Sequence, residues 1–232
     1  MKTQLLFLSI LIGFSSLWAQ DSTFVTIKSG SSIRDVLTTT DILLSPQFIT
    51  GKVFFRNGTK TFAIMNYNSL DDQMLFIDPN GDTLALKDEK TVKFITLDKD
   101  TFYYDEGYIR LVASNSVVKL AEKQVWEVAD IRKIGSHNRP STTFAITSYS
   151  TVSDRFGKSH DLLLNEDMVL RKKATYYFAD MYSHFVPAGK KNLLLLFPKE
   201  QNSLANYLKV NKVNFNKKDD LEKVAQFLGQ NY

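Results

Sequence analysis

Residues 51–67 read GKVFFRNGTKTFAIMNY, and this stretch decides the fold. It contains two β-rich segments, 51–56 and 59–67, on either side of the dipeptide Asn57-Gly58. Asn-Gly supplies the positive φ angles of a type I′ turn, whose twist matches that of the strands it joins. The stretch therefore predicts a β-hairpin.

The same pattern continues over residues 47–121. Strand-like segments separated by short polar turns lie at 74–77, 82–86, 92–97, 101–104, 108–113 and 117–120. A second Asn-Gly pair follows the first of these segments, but the spacing is lost by Asp98, which favours local hairpins over a true internal repeat. We expect a meander of short antiparallel strands.

Several of the predicted strands carry apolar residues on both faces, as in residues 62–65 and 75–77. Such strands are covered by other parts of the protein on both sides. A barrel or a sandwich satisfies that requirement, whereas a single open sheet does not. The fold class predicted is therefore mainly β, an antiparallel hairpin meander forming a barrel or sandwich.

Beyond residue 121 the pattern is mixed. Residues 125–134 fit either a strand pair or a helix, and residues 135–160 are rich in turn formers, which predicts a long mobile surface loop. Further strands are predicted at 161–164, 168–172, 175–178 and 193–197. Together these segments make residues 20–197 a β-rich body.

The hydrophobic period changes near the C-terminus. Pro198 suits the first position of a helix whose apolar residues line one face. Asn216 is expected to cap a second helix, and Gly229 to end it. Neither helix is long enough to be stable alone in water, so both are expected to pack on the sheet. Residues 198–232 are thus predicted to be a helical cap of the same domain.

The first 19 residues predict a secretory signal peptide. Lys2 precedes an apolar run over residues 5–17 that is shorter than the roughly 20 residues of a bilayer-spanning helix. Cleavage is expected after Ala19, although Leu17 departs from the usual small residue two positions earlier. We expect an exported protein of the periplasm or outer membrane, or a secreted one, with no transmembrane segment after cleavage.

Composition excludes several kinds of chemistry. The chain has no cysteine, which excludes disulfide bonds, cysteine catalysis, cysteine-ligated metals and the lipidated cysteine of a bacterial lipoprotein. Its formal net charge of +4 is small and spread along the chain, so no nucleic acid is expected as a partner. The sequence leaves the oligomeric state open.

Four parts of the chain carry a resemblance to a known group of proteins. They are residues 48–67, the turn at 78–84, and the C-terminal runs 194–197 and 211–228. With these features the mature chain resembles exported, uncharacterised β-rich proteins of Bacteroidota bacteria. Because the shared motifs are turns and helix caps, the resemblance implies an envelope location and assigns no activity and no functional residue.

The sharpest candidate for a ligand site is residues 78–82, Asp-Pro-Asn-Gly-Asp. Oxygen ligands would stand at positions 1, 3 and 5 of a calcium loop, with Glu89 at position 12. Position 6 is Thr83, where the loop needs glycine, and both flanks fit strands instead of helices. The favoured interpretation is a hairpin turn. In the alternative interpretation, a calcium loop, the ligands would be Asp78, Asn80, Asp82 and Glu89.

No catalytic or cofactor-binding motif is recognisable. The chain lacks Gly-x-Ser-x-Gly and a glycine-rich phosphate loop. Its three histidines, His137, His160 and His184, are too far apart in sequence to form a metal motif. The carboxylate pair Asp71-Asp72 fits a solvated turn. No catalytic residue and no cofactor is therefore predicted.

Aromatic clusters at 102–104, 176–178 and 182–185 are interpreted as core, with a ligand cavity or an exposed glycan platform as alternatives. The preferred function is a non-catalytic envelope protein that binds a protein or glycan partner through surface loops such as 135–160. One alternative is a periplasmic carrier of a lipid or other apolar small molecule in a barrel cavity. Another is an envelope hydrolase using acidic or histidine groups.

Overall fold

A computed structural model describes residues 23–132, 164 and 166–231. Within them the strands are β1 Phe24–Ile27, β2 Ile49–Phe55, β3 Lys60–Asn68, β4 Gln73–Ile77, β5 Thr83–Ala85, β6 Val92–Leu97, β7 Asp100–Tyr104, β8 Tyr108–Ser114, β9 Lys119–Arg132, β10 Asp167–Ala179 and β11 Phe185–Pro187. The helices are α1 Ile33–Val36, α2 Thr39–Ile42, α3 Lys190–Leu196, α4 Gln201–Val210 and α5 Lys218–Asn231. The predicted signal peptide 1–19 and the predicted loop 135–160 lie outside the described residues.

All of these strands belong to one antiparallel sheet. Its order is β1-β10-β9-β8-β7-β6-β2-β3-β4-β5, and β11 also pairs with β10. The predicted β meander with helices at its C-terminus is confirmed. The closed barrel is wrong, because β1 and β5 end the path of paired strands without pairing to each other.

The first hairpin forms where it was predicted, with a different turn. The Phe55 N–H donates to Thr59 O at 2.9 Å, and Gly58 has a φ of +87°. The φ of Asn57 is not positive, so the turn is not type I′. Instead, the Asn57 side chain accepts a hydrogen bond from the Thr59 N–H at 2.9 Å and leaves the left-handed position to glycine.

The sequence left residues 125–134 open between a strand pair and a helix. Within the described residues, 125–132 belong to the long strand β9, which pairs with β10 along its whole length. The predicted strand at 193–197 is wrong, because residues 190–196 form α3. Leu193 and Phe197 are buried while Leu195 is 67% exposed, which is the spacing of a helix face and not of a strand face.

The C-terminal helices differ from the prediction at Gly229, which does not end its helix. α5 continues to Asn231. A Cβ on Gly229 would lie 2.3 Å from Nδ2 of Asn115, whose amide donates to Ala225 O at 3.0 Å. The glycine therefore allows the hairpin between β8 and β9 to approach α5.

No helix within the described residues has the length and apolar character needed to cross a bilayer.

Three apolar clusters cover one face of the sheet. The helices α3–α5 pack on β9 and β10 around Phe178. The N-terminal segment with α1 and α2 packs around Trp126. Strands β2–β8 bury a third cluster around Phe102. Each of these three side chains is at most 2% exposed, so each lies at the buried centre of its cluster.

The turn between β3 and β4, residues 69–72, folds back onto β9. The Trp126 N–H donates to Ser69 O at 3.2 Å, and the Ser69 N–H donates to Ile42 O at 2.7 Å. Asp72 is ion-paired with Lys123 at 2.7 Å, and its side chain is 12% exposed. The expectation of a solvated turn is therefore wrong for Asp72, because the turn contacts a distant strand.

Gly51 on β2 provides a test of packing between neighbouring strands. A Cβ there would lie 2.7 Å from Leu97 Cδ2 and 3.1 Å from Met65 Sδ, inside the third cluster. Gly51→Ala is expected to lower the free energy of unfolding by about 1–3 kcal/mol, because overpacking forces neighbours to shift. Urea denaturation measures the change. The matched control is Thr50→Ala at the exposed neighbour, expected to change it by about 0.5 kcal/mol or less, and equal effects would contradict the packing.

Candidate functional site

An open groove of about 610 Å³ lies between β6, β7 and the turn that joins β10 to β11. We call it the outer groove. Aromatic, cationic and polar side chains all contribute to its wall. Its lining residues are Arg56, Lys93, Phe94, Tyr103, Tyr104, Asp105, Lys119, Met181, Tyr182, Ser183, His184 and Phe185.

The turn of residues 180–184 is held by one carboxylate and one ammonium. Asp180 Oδ1 accepts hydrogen bonds from the N–H groups of Tyr182 at 2.9 Å and His184 at 3.0 Å. Its Oδ2 lies 2.8 Å from His184 Nδ1. Burial would raise the pKa of Asp180, but the hydrogen bonds from His184 and Tyr182 outweigh it and hold the pKa below its usual range. Lys119 Nζ donates to Met181 O at 2.9 Å, which ties the turn to β9.

A row of aromatic rings continues from the groove across the sheet. Phe94 stacks on Phe54 with 4.3 Å between ring centroids, Tyr103 follows at 6.1 Å from Phe94, and Phe185 at 5.0 Å from Tyr103. The register explains the row, because paired residues share a face of the sheet and Phe54 is paired with Phe94. Phe62, on the neighbouring strand β3, is 63% exposed at the other end of this face.

Lysine accompanies the outer end of the aromatic row. Lys52 Nζ lies 4.7 Å from the ring centroid of Phe54 and 5.4 Å from that of Phe62. A cation at this distance from ring faces is attracted by their negative potential. Within the groove, Arg56, Lys93 and Lys119 outnumber the one carboxylate of the lining, Asp105, and the side chains of Tyr182 and His184 are each 74% exposed. The surface is therefore both aromatic and cationic.

The aromatic residues singled out in the sequence divide between core and groove. Phe102, Tyr176 and Phe178 are buried, as the core interpretation predicted. Tyr103 and residues 182–185 line the outer groove instead. The sequence did not group Phe54, Phe62 and Phe94 with these aromatic clusters, because only the pairing of strands brings them together. Since alternate residues of a strand share a face of the sheet, the phenylalanines at alternate positions of the predicted hairpin strands were the one signal from which the row could have been predicted.

The calcium candidates lie in and beyond the hairpin turn that joins β4 to β5. Asp78 Oδ1 accepts hydrogen bonds from the N–H groups of Asn80 and Asp82, both at 2.9 Å, and the Gly81 N–H donates to Asp78 O at 3.0 Å. Glu89 begins a separate 3₁₀ turn, Glu89–Thr91. The oxygen atoms of Asp78 thus accept hydrogen bonds from the backbone of the turn.

Of the three histidines considered as metal ligands, one lies among the described residues. His184 is paired with Asp180 in the groove, whereas His137 and His160 lie outside the described residues. Over residues 23–132, 164 and 166–231, no group of three or more histidine, aspartate or glutamate side chains is arranged to hold a metal ion.

A second, smaller cavity of about 300 Å³ lies between α2, the turn of residues 69–72 and strands β7–β10. We call it the central cavity. Arg110 extends across it and forms ion pairs with Glu122 and with Asp100, the latter at 3.3 Å. The lining residues are Thr40, Leu43, Leu44, Tyr67, Ser69, Phe102, Tyr108, Arg110, Glu122, Gln124 and Lys172.

No protein-family model, no curated protein and no solved structure matches the chain. The resemblance to exported Bacteroidota proteins therefore stays a prediction. Inference about function rests on the outer groove and the central cavity.

The ion pairs of Arg110 give a test of the central cavity. The Glu122 side chain is 6% exposed, so Arg110→Met leaves a buried carboxylate without its cation. We expect the free energy of unfolding to fall by about 3 kcal/mol. The double variant Arg110→Met/Glu122→Gln removes the charge as well and is expected to recover part of that loss. Chemical denaturation measures the free energy of unfolding of both variants, and a double variant no more stable than Arg110→Met would contradict this account.

Proposed function

We propose that the protein is a non-catalytic binding protein of the cell envelope, and that the outer groove binds an acidic glycan. The observation that supports this most is the combination of exposed aromatic rings and cationic side chains in one open groove. The envelope location rests on the predicted signal peptide 1–19.

The aromatic side chains suit the flat faces of sugar rings. A sugar ring presents C–H groups on its faces and hydroxyl groups around its edge, so it packs on an aromatic face while its edge forms hydrogen bonds. Tyr103 and Phe185 offer ring faces, and Tyr182 offers an exposed ring with a hydroxyl group. An open groove of this kind admits a polymer from the side.

The charges favour an acidic sugar over a neutral one. Arg56, Lys93 and Lys119 line the groove and can pair with the carboxylate groups of a polyuronate. The β10–β11 turn is fixed by Asp180 and Lys119 before any ligand binds, so little conformational entropy is lost on binding.

The carrier hypothesis receives less support. A lipid carrier needs a large apolar cavity, and sites for drug-sized ligands have volumes of about 300–1,000 Å³. The central cavity is at the lower end of that range and is lined by the charged groups of Arg110, Glu122 and Lys172. Its chemistry favours a small polar molecule over a lipid chain.

The test is binding of the whole protein to polygalacturonate, with uncharged dextran as the comparison polymer. Wild-type protein is expected to bind polygalacturonate, less tightly as salt is raised, because exposed charges are screened. Tyr182→Ala removes an exposed ring and is expected to weaken binding about tenfold. Val210→Ala is the control, since Val210 is 69% exposed on α4 and outside the groove.

Two results would contradict the proposal. One is wild-type protein that binds neither polygalacturonate nor other polyuronates. The other is a Tyr182→Ala protein that binds as tightly as Val210→Ala. Circular dichroism spectra of both variants should match the wild type, because both side chains are exposed.

A further inference from the structure

The face of the sheet that carries the aromatic row extends beyond the outer groove. Phe94 lines the groove, whereas Phe54, stacked on it at 4.3 Å, lies outside the lining. The register places two more side chains on this face, because Lys52 is two residues before Phe54 on β2 and is paired with Phe62 on β3. We call Lys52, Phe54 and Phe62 together the outer patch.

The outer patch is open to solvent, unlike the opposite face of the same strands. Phe62 is 63% exposed, and Ile64, two residues further along β3, is 51% exposed. Val53 and Met65, which point to the other face, are each 1% exposed and belong to the third apolar cluster. Large apolar side chains that are exposed side by side are typical of a binding surface.

Lys52 is a cation held by aromatic rings and not by an ion pair. Its Nζ lies 4.7 Å from the ring centroid of Phe54 and 5.4 Å from that of Phe62. Among the described residues, no carboxylate lies within ion-pair distance of this ammonium group. The rings restrain the side chain, and its N–H donors are left for an acceptor on a ligand.

The charges of this face have one sign. The residues of β2, β3 and β6 that pair across it include two lysines and no carboxylate. They are Thr50, Lys52 and Phe54 on β2, Lys60, Phe62 and Ile64 on β3, and Phe94 and Thr96 on β6. An acidic polymer that leaves the outer groove on this side therefore meets further cations and no opposing charge on these strands.

The distance between groove and patch decides the length of ligand that contacts both. Tyr103 of the groove is on β7 and Phe62 of the patch is on β3, and β6 and β2 lie between these strands. Neighbouring strands are about 4.8 Å apart, so the two rings are separated by about 14 Å. Phe185, on the far side of Tyr103, adds to this distance. One or two sugar rings cannot contact both Phe185 and Phe62.

We propose that the acidic glycan continues from the outer groove over the outer patch, where Lys52 Nζ donates to a carboxylate of the chain and the exposed ring of Phe62 packs on a sugar ring. This inference rests on the proposed function and extends it to a further part of the surface. Groove and patch then form one site, which selects long acidic chains over short ones.

Isothermal titration calorimetry of the whole protein with polygalacturonate tests the proposal. Lys52→Met removes the charge and keeps a side chain that packs on the rings, and it is expected to weaken binding about fivefold. The matched control is Lys209→Met, which removes the same charge from an exposed position on α4, outside groove and patch.

A second variant tests the ring. Phe62→Ala is expected to weaken binding of polygalacturonate about tenfold. Its matched control is Phe24→Ala, because Phe24 is 58% exposed on β1 and lies outside groove and patch. Digalacturonate is the short ligand. Both patch variants are expected to reduce the preference of the protein for polygalacturonate over digalacturonate.

Two results would overturn this extension and leave the groove function standing. One is a pair of patch variants, Lys52→Met and Phe62→Ala, that bind polygalacturonate as tightly as their controls Lys209→Met and Phe24→Ala. The other is wild-type protein that binds digalacturonate as tightly as polygalacturonate. Wild-type protein that binds neither ligand would contradict the proposed function and the extension together.

Discussion

The carboxylate of Asp72 joins the two halves of the sheet, and the rest of the structure depends on it. Its Oδ1 accepts hydrogen bonds from the Tyr67 hydroxyl at 2.9 Å and the Tyr108 N–H at 3.0 Å. Its Oδ2 lies 2.7 Å from Lys123 Nζ. These partners belong to β3, β8 and β9, so one side chain fixes the turn of residues 69–72 against strands far from it in sheet order. Its φ of +51° is a conformation that aspartate tolerates better than most residues.

The folding-over of the sheet creates both candidate sites. The central cavity lies where the β3–β4 turn meets β9, because Ser69 and Tyr67 line it from one half and Gln124 from the other. In the outer groove, the ring of Phe185 on β11 lies beside that of Tyr103 on β7, although the strands β8, β9 and β10 separate them in sheet order. A flat sheet would form neither site. The expectation that both strand faces are covered is wrong for residues 62–65, because a sheet that folds over itself covers its inner face, and Phe62 and Ile64 on the other face are 63% and 51% exposed.

Local features were predictable from the sequence, and contacts between distant segments were not. Asn57-Gly58 located the first hairpin, because glycine tolerates a positive φ wherever it stands. The partners of Gly229 and Asp72 could not be foreseen, since Asn115 approaches Gly229 only when α5 packs on the sheet and Lys123 approaches Asp72 only when the turn of residues 69–72 folds back onto β9. The candidate sites follow the same division. Aromatic residues were recognised as clusters along the chain, but the row through Phe94 depends on strand register, and the central cavity depends on side chains from five separate segments.

Native-state hydrogen exchange of the wild-type protein tests the central claim most directly. If the turn of residues 69–72 is joined to β8 and β9, the amide protons of Trp126 and Tyr108 are protected by Ser69 O and by Asp72 Oδ1. The account predicts that both exchange as slowly as the bonded amides of the β9–β10 ladder. It would be contradicted if both exchanged as fast as the exposed Asn57 amide in the β2–β3 turn while the β9–β10 ladder stayed protected.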